Sequence, residues 1–107
     1  MDAGQLRQEV STLPADPELR ELGRLDRLLT DCAATTLRLS AESSRVEREL
    51  DVAVVRGPEA GHETEPLICA LVRRGRQLAA ERRELDELMQ ALRALRDRVV
   101  GPGSTLT

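Results

Sequence analysis

Leu22–Ala53, LGRLDRLLTDCAATTLRLSAESSRVERELDVA, is the stretch that decides the fold. Within it Leu22, Leu25, Leu29, Cys32, Thr36, Leu39, Ser43, Val46, Leu50 and Ala53 recur at alternating steps of three and four. That spacing keeps one stripe on one helix face, as a coiled-coil seam requires, and does not fit the two-residue repeat of a strand. A second series, Leu71, Leu78, Leu85, Leu88, Leu92, Leu95 and Val99, lies beyond the Gly57-Pro58 break. Two long amphipathic helices with one turn between them follow.

The ends of these helices are marked by capping chemistry. Asp16-Pro17-Glu18 reads as a start, with Asp16 as N-cap, Pro17 at the first helical position and Glu18 facing the positive end of the dipole. Only Gly23 weakens the run that follows, by about 1 kcal/mol relative to Ala. The expected helices are therefore residues 17–56 and 64–100, separated by a loop at 57–63. At about 1.5 Å per residue they are about 60 and about 55 Å long, which favours an antiparallel hairpin. Gly101-Pro102 supplies the final stop, and 101–107 reads as a disordered tail. Upstream, Leu6, Val10 and Leu13 predict a short N-terminal helix that Pro14 closes, within residues 1–15. The fold class is thus all-α: an antiparallel two-helix coiled-coil hairpin with a short N-terminal helix.

Register follows from the turn. If it centres near residues 60–61, Leu22 opposes Val99, Leu29 opposes Leu92, Thr36 opposes Leu85, Ser43 opposes Leu78 and Leu50 opposes Leu71. A second layer pairs Leu25 with Leu95 and Cys32 with Leu88, and the flanks place Asp26 by Arg96 and Glu21 by Arg98. Core and flank agree, which is the mark of a sequence that specifies one arrangement. The middle of the seam is poorer: Thr36, Ser40, Ser43 and Ser44 crowd it, Leu39 faces Glu81 and Val46 faces Arg74.

Composition narrows the function classes. The 107 residues amount to one small domain with no Phe, Tyr or Trp, so leucine, valine and alanine must build any core. All sixteen basic residues are Arg and Lys is absent, a bias that a GC-rich gene explains before phosphate recognition does. The net charge of −3 makes the chain as a whole a poor ligand for nucleic acid. Arg73-Arg74-Gly75-Arg76 and Arg82-Arg83 form the most basic stretch. Glu81, Glu84, Asp86 and Glu87 neutralise the same helix, and Glu42, Glu47 and Glu49 are within reach on the other. Nucleic-acid binding through Arg73–Arg83 is thus the weakest reading. No apolar run approaches the ~20 residues needed to span a bilayer. The start, MDAGQLRQEV, has neither a basic nor an apolar leader region, so an intracellular protein, cytoplasmic or nuclear, is expected.

Candidate chemistry is sparse. In the hairpin register Cys32 and Cys69 lie about 30 Å apart. A disulfide between them is excluded, because it needs Cα atoms within ~7 Å. Cys32 reads as a small seam residue. His62-Glu63-Thr64-Glu65 lacks the second histidine of a zinc protease helix, since position 66 is proline. No serine or cysteine is placed beside a histidine and an orienting acid, and no glycine loop cradles phosphate. No enzyme, metal or cofactor is expected.

What stands out is apolar surface. Val52, Val54 and Val55 sit across from Leu67, Ile68, Leu71 and Val72 near the turn, more than one seam can use. The N-terminal segment, tethered at the other end and only about 15 Å long, cannot reach them. Leu28 and Leu37 also lie off the main stripe. Val52, Val54, Val55, Leu67, Ile68, Val72, Leu28 and Leu37 are therefore the expected partner-binding residues, since large exposed apolar patches mark interfaces. The expected function is a non-enzymatic assembly subunit or adaptor of an intracellular complex, a scaffold acting by helix–helix docking in a hetero-complex or homodimer. The alternative is a small helical chaperone or regulatory protein with a secretion or transcription-factor partner.

Overall fold

The structure, a computed structural model, describes residues 2–60 and 64–101, with the backbone alone for 57–60. Its elements are α1 (Ala3–Ser11), a single 3-10 turn (Leu19–Glu21), α2 (Leu22–Ala60) and α3 (Thr64–Val100), with no strand among the described residues. The fold is a helical hairpin of α2 and α3, 39 and 37 residues long, preceded by a short helix.

Each terminus has a local cause. A capping box starts α1: the Asp2 carboxylate accepts from the Gln5 N–H at 2.8 Å, and Gln5 Oε1 accepts from the Asp2 N–H at 3.1 Å. The predicted start at Asp16 is not what forms. Residues 17 and 18 stay outside the helix, the chain makes one 3-10 turn with Glu18 at its cap, and α2 begins at Leu22. Pro17 is buried, so its ring serves as apolar filling and not as a helix starter. At the other end α2 continues to Ala60, four residues past the expected stop at Arg56. Gly57-Pro58 therefore does not halt the coil: the fixed φ of proline is compatible with a helix, although a proline ring forfeits one hydrogen bond and crowds the carbonyl of the preceding turn. The Gly57–Gly61 turn and His62-Glu63 fall partly or wholly outside the described residues, as does the tail beyond Gly101. Gly101 closes α3 with φ of 82° while its N–H reaches the Asp97 carbonyl at 2.8 Å, a left-handed cap open to glycine at little cost.

The chain divides into two compact units. One combines Met1–Thr36 with Arg83–Thr107; the other is Leu37–Arg82. In the first, Leu6, Leu25, Cys32, Leu85 and Leu92 have no exposed surface, and Ala3 and Leu28 have 3 % and 2 %. Polar ties hold α1 in this unit. Arg24 donates to the Thr12 hydroxyl and to the Glu9 carbonyl, and Arg7 pairs with Glu84. The Arg96 Nε–Asp26 Oδ1 contact, 2.7 Å long, is the flank pairing that the register predicts.

In the second unit the buried apolar residues are Leu39, Val46, Ala53, Leu71 and Leu78, and only Leu78 is fully enclosed. Thr64 is also buried. Arg74 donates through Nε at 3.1 Å and Nη2 at 2.6 Å to one oxygen of Glu42. These hydrogen bonds hold the guanidinium proton more tightly than usual, against the opposing effect of desolvation. Glu42 lies one turn before Val46, the residue expected opposite Arg74. The length of the arginine side chain covers that offset.

Burial shows a stricter repeat than the seam predicts. On α2 the buried stripe is Leu25, Cys32, Leu39, Val46 and Ala53; on α3 it is Thr64, Leu71, Leu78, Leu85 and Leu92. Every step is seven. The companion seam positions Leu22, Leu29, Thr36, Ser43 and Leu50, with Leu88, Leu95 and Val99, remain half-buried. One line of this seam is thus fully closed, while its neighbour stays partly open to solvent. The first unit alone adds a further buried pair on α2, Leu28 and Thr35, on the side that α1 serves.

Candidate docking surface

The exposed aliphatic side chains lie mainly in the second unit. Val52 is 50 % exposed, Val54 57 %, Val55 78 %, Leu67 50 % and Leu37 73 %. Val72 is also exposed, and Ile68 is half-buried. Seven of the eight expected docking residues therefore have accessible surface in this unit. Leu28 is the exception and corrects the expectation. It is closed off in the first unit, where it lines a small hollow with Glu9 of α1, Arg24, Arg27 and Asp31. The nine-residue α1 has its fully buried Leu6 there, and Leu28 is part of the same enclosed interior. Leu19, 72 % exposed on the 3-10 turn, is a surface leucine that the heptad reading does not single out.

Three of the exposed residues line grooves along the second unit, Val52 and Leu67 one groove and Val72 another. One, about 590 Å³, has Val52, Ala53, Leu67 and Leu71 on its floor and Arg45, Arg48, Glu49 and Arg56 along its edge. The other, about 440 Å³, is formed by Val46, Leu50, Leu71, Val72 and Ala79 with Glu47, Arg76 and Arg82 beside them. Leu71 contributes to both, which is why it keeps 8 % exposure although it belongs to the buried stripe. The arginine edge was not legible from apolar spacing alone. Its signal is Arg45, Arg48 and Arg56, which follow the helical repeat beside Val52.

The remaining groups offer little chemistry. Both thiols are free, Cys32 buried and Cys69 exposed. Burial, and then the charge of Asp31, push the Cys32 thiol up, so the thiolate that would react is disfavoured. Accordingly, a small disulfide reagent should modify one thiol per folded chain, and the second only in denaturant. Equal rates at both cysteines in the native protein contradict the burial of Cys32. Among the described residues no His/Cys/Asp/Glu group could hold a metal ion, and no helix is long and apolar enough to cross a membrane. His62 and Glu63 lie outside the described residues.

Comparison of the chain with protein-family models, with curated proteins and with solved structures gives no match.

Proposed function

We propose that this chain is a non-enzymatic assembly subunit or adaptor that acts by receiving another protein's helix on the second unit of its hairpin. The observation that supports this reading is the exposure of Val52, Val54, Val55 and Leu67 beside a seam already closed by other residues. Apolar side chains left half or more in water on two adjacent helices cost solubility unless a partner covers them. A helix laid in such a groove reads as anchors at i, i+3 or i+4, and i+7.

The test is substitution on the surface without disturbing the seam. Val52→Asp combined with Leu67→Asp should remove a stoichiometric partner, or a second copy, recovered with the wild-type chain from its native cell. Far-UV circular dichroism of the variant should keep the wild-type helicity, because Val52 and Leu67 are each 50 % exposed. Undiminished recovery of the same partner by the well-folded variant rejects the proposal.

A further inference from the structure

We infer that the groove edged by Arg45, Arg48 and Arg56 receives an acidic amphipathic helix of about three to four turns. This names the partner class for the docking reading above and rests on it. Charge complementarity selects the occupant. Three guanidinium groups and one carboxylate, Glu49, line the groove, a local excess of two positive charges on a chain whose net charge is −3. None of the three arginines has an ion-pair partner among the described residues, whereas Arg7, Arg74 and Arg96 each find a carboxylate. All three are exposed, so their positive charge faces whatever enters.

The shape of the groove fits a helix. Arg45, Arg48, Val52 and Arg56 follow one face of α2 over about 17 Å, the length of about eleven helical residues. Leu67 and Leu71, one turn apart on α3, border the same floor. An incoming helix with leucine-type residues on one stripe and Glu or Asp beside it would bury the first on Val52, Leu67 and Leu71. The second would then lie against the arginines, where planar guanidinium groups match carboxylates well. A second copy docked through this same groove fits worse, because a two-fold arrangement sets the arginine edge against itself with only Glu49 to offset it. A nucleic-acid backbone would satisfy the arginines but leave the apolar floor uncovered, and the chain has no aromatic residue to stack on bases.

The experiment uses the full chain with labelled methyl groups and two synthetic peptides of about fourteen residues. Both carry leucine at the same helical stripe; one has Glu at the flanking positions and the other Lys. The Glu peptide should bind at least about tenfold more tightly at low salt, shift the Val52 and Leu67 methyl signals, and lose its advantage as salt is raised. Replacing Arg45, Arg48 and Arg56 together by Glu should invert the preference while circular dichroism stays unchanged. Equal binding of the two peptides, or binding of neither, overturns the inference. So does salt-sensitive binding of a DNA duplex that moves these methyls while the Glu peptide does not. Self-association abolished by Val52→Asp also overturns it, yet leaves the docking proposal standing. Recovery of the native partner, tested separately with the Val52 and Leu67 double variant, decides that broader proposal.

Discussion

Leu85→Ala lowers the unfolding free energy by about 2–5 kcal/mol, the range for deleting a fully buried leucine side chain and leaving a cavity. Leu85 has no exposed surface and stands in the seven-residue stripe of α3 with Leu78 and Leu92. Neither aromatic side chains nor a disulfide backs this stripe up. Stability of a domain this size is about 5–15 kcal/mol in total, so one such truncation removes a large share. Chemical denaturation of the variant and the wild type, followed by circular dichroism, measures the difference. Leu88→Ala is the internal comparison. It removes the same methyl groups from the half-buried companion line and should cost distinctly less. A larger loss from Leu88 than from Leu85 would contradict the single closed line that the burial pattern defines.

The second large effect belongs to the first helix. Leu6→Ala should cost a further about 2–5 kcal/mol of local stability and release α1 from its unit. A nine-residue helix is too short to persist in water alone, so its capping box and one buried leucine work only while the docked state is formed. Loss of that anchor should abolish the slow exchange of backbone amides between Leu6 and Val10. It should also expose Leu28, now 2 % accessible, to solvent and to apolar dyes. The amides of α3 from Leu78 to Leu85 should remain protected. If the α1 amides exchange as slowly in the variant as in the wild type, Leu6 is not what holds the helix.

The three-and-four spacing identified both long helices, and the Asp26–Arg96 contact agrees with the register drawn from a turn near residue 60. Spacing could not tell which of two adjacent lines would close completely, because both carry leucine. That choice depends on how two cylinders meet, a property of the pair and not of either sequence. Leu28 was misassigned for a related reason. Its position off the stripe is compatible with a partner's helix or with a helix from the same chain, and the shortness of α1 argued only against the distant turn. Leu28 and Thr35, seven apart on α2, were the available signal that a third helix runs there. Asp16-Pro17 misled because capping preference is weaker than the gain from enclosing an apolar ring. Val52, Val54, Val55 and Leu67 were legible as excess hydrophobicity. The arginine edge was not, since charges on a helix surface are ordinarily solvated and carry no message until a groove lies beside them.

α1 is joined to the hairpin by only ten residues, Thr12 to Glu21, three of them in the 3-10 turn. So short a leash keeps the helix at millimolar effective concentration beside its seat, and association becomes an event within one molecule. That is how one fully enclosed leucine and an alanine suffice. A visitor from another chain enjoys no such tether and loses its freedom of translation on arrival. It must therefore bring several anchoring side chains where α1 needs one, which makes the external seat selective and the internal one permissive.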